Sequence, residues 1–408
     1  MQIPILSLIT WLPVGSACVN LLIPAHRRNL HKAIVLLTLS LQVICFVWIL
    51  SQLYAAAAWQ TNQPLFNSLY FVEKCSWLRF SLGNLGILSV NYFLGLDGLN
   101  VGLLGLALFV LSIGAVASWS IKKYVKAYFI LYLLLNTLII GSLVALDFLL
   151  FYIFFELTLV PIYFLIGLWG EANGPAAATK FFLYTLAGAI LILFVLIGLG
   201  LSTYDPIATG IQAGILKGSV LENTAPEQIV CIQKMIQNNQ IAAQDIVHTF
   251  EVPLMTNTQN FIPHTTFSIT SIQSFQGYPM RLLGFFILLI GFMIKLAIAP
   301  LHNWLPDAHV QAPTPISIVL AGILLKLGAY GLLRTAYSIF PEGAIHFGFW
   351  IGVIGIISGI YAALNALAMQ DLKKMIAYSS VAHMGFFLVG IGSLTAEGMQ
   401  GALYQLIS

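Results

Sequence analysis

Long unbroken apolar runs separated by short polar punctuation dominate this chain. Windows of about twenty residues, the length that spans a hydrocarbon core of roughly 30 Å, fall at 3–24, 33–54, 93–118, 127–146, 148–169, 177–201, 281–300, 316–337, 344–368 and 375–394. They predict ten membrane-crossing helices. The runs are too long and too continuously apolar for the alternating strands of a barrel, so helices that satisfy their own backbone are expected. Basic residues fall on alternate connections: Arg27, Arg28 and Lys32; Lys122, Lys123 and Lys126; Lys180; then Lys373 and Lys374. By the positive-inside rule these ends face the cytoplasm, which puts the N-terminus outside.

Two stretches depart from this rhythm. Residues 55–92 mix Trp77, Arg79, glycines and alternating apolar positions, which predicts a short hairpin on the outer face. Residues 202–280 are polar, rich in Asn, Gln and Thr, and lack a spanning run. They read as an extra-membrane insertion with one amphipathic helix near 225–247. The N-terminal MQIPILSLITWLPVGSACVNLLIP has neither a basic leader nor a small-residue cleavage site, so it reads as a first spanning helix and not a signal peptide. The closing EGMQGALYQLIS reads as the start of another helix, so the chain is expected to be a fragment or a truncated product.

Composition agrees: 59% of the 408 residues are hydrophobic and only 8% charged, against roughly 25% in soluble domains. This is the profile of an all-α polytopic membrane protein. A net charge of +3 with no basic block excludes a nucleic-acid role. Cys18, Cys45, Cys75 and Cys231 show no C-x-x-C spacing, which argues against Fe–S or other metal ligation.

Against this background a few charges stand out. Glu156, Lys295 and Lys326 lie inside predicted spans, and His383 is a fourth candidate. A lone charge there costs roughly 2.5–3.5 kcal/mol on insertion scales, and such residues usually face a bundle interior or mark an ion pathway. The plainer alternative is a buried pair that only fixes helix packing. Burial disfavours the charged form of an acid or amine, whereas proximity of the two favours it, so moving one partner switches the other. One acid and two lysines therefore predict a proton relay: Glu156 near Lys295 holds the proton there, and separation releases it toward Lys326. A metal cation would need clustered oxygens, absent from the spans, although sodium held by carbonyls stays open. Pro161, Pro300 and Gly328 lie close to the three charges and predict interrupted helices, with Lys295 and Pro300 in one discontinuous helix at mid-membrane. The connection LHNWLPDAHVQAPTP adds His302, Asp307 and His309. Their spacing fits no standard zinc pattern, which leaves proton uptake from the cytoplasmic side or a plain surface turn.

FFELTLVPIYFLIGLWG, KFFLYTLAG, KLAIAPLHNWLPDAHVQAPTPISIVLAGILLKLGAYGLLR and DLKKMIAYSSVAHMGF, in that order, resemble the antiporter-like membrane subunits of respiratory NADH:quinone oxidoreductase, complex I, in particular the subunit M branch. The resemblance covers nearly everything from about residue 90 onward except the insertion. It implies two inverted five-helix repeats, each with a broken helix. The family's glutamate would be Glu156, its broken-helix lysine Lys295 and its central lysine Lys326, with His302, His309 and His383 serving hydration and lateral transfer. It further implies no redox cofactor in this chain, with NADH, FMN, Fe–S clusters and quinone on partner subunits, and neighbouring antiporter-like subunits as partners. The location would be a bacterial plasma membrane or an organellar inner membrane. The expected organisation is N-terminal helices and outer loop in 1–92, a translocating core in 93–337 carrying the insertion, and an incomplete second repeat in 338–408, which stops before the second broken helix. Subunits of multisubunit Na+/H+ antiporters or membrane-bound hydrogenases share this pattern and are the alternative. A passive scaffold would leave the buried charges without function.

Overall fold

The computed structural model describes residues 4–55, 69–216, 226–269, 274–275 and 277–408. Helices α1 (Ile5–Leu22) and α2 (Arg28–Ala55) precede a hairpin of β1 (Tyr70–Ser81) and β2 (Ile87–Leu96). Next come α3 (Gly98–Ala117), α4 (Val125–Val144), α5 (Phe148–Leu157), α6 (Leu159–Trp169) and α7 (Gly174–Ser202). An outer segment holds α8 (Pro206–Gln212), α9 (Pro226–Gln237), β3 (Val247–Thr249), α10 (Val252–Met255) and the small ladder of β4 (Ser274–Phe275) with β5 (Tyr278–Pro279). The chain re-enters the bundle through α11 (Met280–Lys295), α12 (Trp304–Gln311), α13 (Thr314–Val319) and α14 (Leu325–Gly331). It continues with α15 (Pro341–Ala368), α16 (Leu372–Gly392) and α17 (Ala396–Ile407).

Among the described residues, nine helical stretches are long and apolar enough to cross a membrane, and the protein is multi-pass and integral. The remaining predicted window, 281–300, is the discontinuous one: α11 stops at Lys295 and helix resumes only at Trp304. The window 93–118 begins too early, because β2 runs to Leu96 and α3 starts at Gly98. Asp97 fixes that boundary with a capping box: its carboxylate accepts from the Leu99 and Asn100 amides while Asn100 accepts from the Asp97 amide. The helix expected near 225–247 ends at Gln237, where Asn239 takes a left-handed φ of 54°, and the chain then enters β3.

The basic connections gather at one end of the bundle, as the charge alternation requires. There Lys32 donates to the Trp119 carbonyl, Lys126 to the Leu21 carbonyl and Lys373 to Glu171. At the opposite end β3 pairs parallel to β2, and backbone bridges join Leu94 to Ala145, Asp147 to Glu251 and Thr203 to Phe261. The hairpin and the insertion thus form one outer layer, with a small core of Tyr204, Ile232, Ile236 and Ile246.

Polar side chains tie the first helices to the bundle. Gln42 donates to the Ile9 carbonyl and exchanges amide hydrogen bonds with Asn136, joining α1, α2 and α4 through fully buried groups. Replacing Gln42 by Leu orphans the Asn136 amide and is expected to destabilise the bundle by about 1–2 kcal/mol. A lowered thermal midpoint of the detergent-solubilised protein checks this, and an unchanged midpoint refutes it.

Candidate functional site

The centre of the bundle is built around two helix interruptions. The first lies between α5 and α6. Thr158 bonds its hydroxyl back to the Phe155 carbonyl, and Pro161 offers no amide to continue the ladder, so the helix breaks just after Glu156. The second ends α11 at Lys295. Ala297 takes a left-handed φ of 54°, and the Ile298 amide reaches back to the Met293 carbonyl, a Schellman-type stop formed without glycine. Groups freed by this break find partners nearby. The Trp304 indole donates to the Ile294 carbonyl at 2.9 Å, and the Ser358 hydroxyl of α15 accepts from the Ala299 amide at 3.1 Å.

These breaks place acid against amine. Lys295 is 4% exposed, its Nζ lies 3.0 Å from Glu156 Oε1, and it also donates to the Phe155 carbonyl at 3.3 Å. The same ammonium sits 3.4 Å from the centroid of the Phe155 ring, whose negative face adds attraction. Being the last residue of α11, it faces the negative end of that helix's dipole. Glu156 Oε2 is buried and makes no hydrogen bond among the described residues. The carboxylate therefore keeps a free acceptor beside the pair.

Lys326 lies inside α14, between two π-helical segments, Leu320–Leu324 and Leu332–Tyr337. Gly328 does not interrupt this helix, contrary to the expectation from sequence. The irregularity comes from the two π segments, a feature frequent at functional sites. Gly328 instead permits close approach: a Cβ there would stand 3.4 Å from Lys295 Cβ and the Leu296 amide. Lys326 lies two residues before this contact on the same helix. It has no acidic partner among the described residues and opens into a cavity of about 140 Å³ with Ser380, His383 and Gln405. His383 bonds through Nδ1 to the Gln405 side-chain amide at 2.8 Å.

His302 follows the α11 break, is 3% exposed, and forms no hydrogen bond through either ring nitrogen among the described residues. Its ring meets Tyr361 of α15 edge-on at 5.2 Å and Tyr378 of α16 at 5.9 Å. His309 is buried in α12 with Nε2 unpartnered. Asp307 pairs with Lys180 of α7 at 2.6 Å beside a cavity at the basic end. Glu156 and Lys295 are therefore brought together, Lys326 shares a separate cavity with His383, and His302 and His309 follow the α11 break. Among the described residues no group of three or more His, Cys, Asp and Glu side chains could hold a metal ion.

Other charged clusters were not foreseen from sequence. Arg334 bonds Asp97 at 2.6 Å and the Tyr330 hydroxyl at 3.1 Å, deep in the bundle. At the outer end Glu251 takes Lys74 and Asn91 as partners. Asp147, the cap of α5, is pushed up to about 7, mainly by burial and further by the Glu251 charge, against the hydrogen bonds from Leu150, Asn91 and Leu149 amides. The pairs join residues over a hundred positions apart, so the linear chain gives no sign of them.

Residues 145–205 and 250–408 match the family described as NADH:quinone oxidoreductase/Mrp antiporter, TM. The chain is 33% identical over 411 residues to NADH-quinone oxidoreductase subunit M of Rickettsia felis, covering 100% of this chain and 69% of that one. It is also 33% identical over 409 residues to the subunit M of Rhodobacter capsulatus, covering 99% and 67%. NAD(P)H-quinone oxidoreductase chain 4-3 of Nostoc is 35% identical over 339 residues, covering 83% and 49%. A chain of respiratory complex I from Thermus thermophilus with bound NADH has the same fold, with a TM-score of 0.66 at 24% identity, over 98% of this chain and 68% of that one.

Proposed function

Because the chain belongs to the NADH:quinone oxidoreductase/Mrp antiporter family, we propose that it is the M-type membrane subunit of a proton-translocating NADH:quinone oxidoreductase. In this reading the work of the chain is proton movement, and NADH, FMN, Fe–S clusters and quinone bind to partner subunits. Neighbouring antiporter-like subunits flank it in the membrane. The translocating core occupies 93–337, and the outer segment is an insertion on it; the family match passes over residues 206–249.

The observation that carries this reading is the buried pair of Glu156 and Lys295 at the α11 break. Paired, the ammonium is held by a counter-charge, an aromatic face and a helix end. Drawn apart, each charge is left bare in a low-dielectric interior, and the amine sheds its proton to relieve the cost. Lys326, on the helix that packs through Gly328 against Lys295, is the receiver, and His383, which shares its cavity, takes the next step. His302 and His309 serve the uptake side, where neutral imidazoles accept and return protons without leaving a fixed charge. The likeness to subunit M proteins, which runs along 100% and 99% of this chain and 69% and 67% of theirs, favours this branch over the antiporter and hydrogenase relatives.

The whole complex carrying Lys295→Ala, reconstituted in vesicles, tests the proposal. Assembly is expected to persist while NADH-driven acidification falls at least tenfold, a barrier rise of about 1.4 kcal/mol. Undiminished acidification in the assembled variant would favour a passive scaffold.

A further inference from the structure

We infer that Tyr378 and Tyr361 form a hydroxyl step carrying protons from the basic end of the bundle to His302. The inference rests on the proposed function and extends it to two residues outside the Glu–Lys pair. A cavity of about 390 Å³ opens at the basic end, lined by Asn173, Lys180, Asp307 and Lys374 among others. Lys374 and Tyr378 are four residues apart on α16, hence on the same face, with Tyr378 one turn deeper. At 1.5 Å per residue, Tyr378 lies about 9 Å in from the start of α16 and Tyr361 about 10 Å in from the end of α15, so both occupy the layer between the basic surface and the break.

His302 meets both rings in that layer, at 5.2 and 5.9 Å. Neither ring nitrogen meets hydrogen-bond geometry with a side chain among the described residues, although the ring is almost completely buried. The contact with α15 is fixed twice, since Ser358 accepts from the Ala299 amide and Tyr361, three residues on, shares its helix face. The broken segment is thus cradled by helices α15 and α16, which follow the core in sequence. Each transfer balances without a cofactor. A phenol oxygen accepts a proton from the cavity side as its own O–H proton passes through one bridging water to a ring nitrogen of His302, since neither hydroxyl is within hydrogen-bonding distance of the imidazole, and the phenol ends neutral. Mere packing would need only the rings.

The double variant Tyr361→Phe/Tyr378→Phe keeps the rings and removes the hydroxyls. In the reconstituted whole complex it is expected to assemble normally yet lose NADH-driven acidification at least tenfold, the scale of a lost proton-transfer group. Wild-type acidification in the assembled double variant overturns the inference. Should the double variant not assemble, each single Phe variant is expected to slow acidification at least about twofold, and normal rates in both overturn it equally. Lys295→Ala measured alongside separates the two claims. Normal pumping there refutes the proposed function, whereas loss there with normal pumping in the Phe variants refutes the tyrosine step alone.

Discussion

Glu156→Gln is expected to stop proton pumping while leaving an assembled complex. The substitution keeps the shape and hydrogen-bonding capacity of the side chain but removes the charge 3.0 Å from Lys295. With an effective dielectric of about 20, Coulomb's law puts that attraction at roughly 5 kcal/mol. The amide returns only part of this, through one hydrogen bond of about 1 kcal/mol. Lys295 is buried and has no second acid among its partners, so it can no longer alternate between a held and a released proton. Acidification driven by NADH in vesicles is expected to fall at least a hundredfold, a barrier rise of about 2.7 kcal/mol. Coupled NADH oxidation slows with it. Near-normal acidification would mean that the pair only fastens α5 to α11.

The largest effect on stability is expected at Asp97→Ala. Asp97 is 1% exposed, caps α3 and bonds Arg334 at 2.6 Å, while Arg334 Nη2 already lacks a partner among the described residues. Removing the carboxylate leaves an arginine charge in the bundle interior, at about 3–5 kcal/mol, and the lost cap adds about 1 kcal/mol. That is a large share of the 5–15 kcal/mol typical of folded domains, so little variant protein should accumulate in membranes. The double variant Asp97→Ala/Arg334→Leu removes the orphaned charge and should recover most of the loss. Equal depletion of the single and double variants would show that capping, not the ion pair, dominates.

Most of the bundle could be read from the apolar windows because a spanning helix must satisfy its own backbone, whatever it packs against. Lys295 and Pro300 announced the interrupted helix in the same way, since a buried ammonium and a missing amide are local facts. What stayed hidden depends on contacts distant in sequence. Lys180 and Asp307 were each legible as polar residues, but their pairing spans 127 positions. The Asp97–Arg334 pair escaped because both residues fall near the ends of their windows, 93–118 and 316–337, and 237 positions separate them. Gly328 misled for a related reason: glycine signals either a breaker or a close approach, and only the neighbouring helix decides between them. The outer layer was half visible, because alternation within 55–92 predicts a hairpin, found as strands over 70–96, but not the third strand that arrives from residue 247.

Asp147 fastens the outer end of α5 with bonds from three backbone amides, one of them Asn91 on the neighbouring strand. Glu156 hangs near the opposite tip of that short rod, one step before the Thr158 interruption. A segment clamped at one extremity and jointed at the other swings instead of sliding. Displacements of α6 would therefore reach the carboxylate almost undiminished while the Asp147 end stays still.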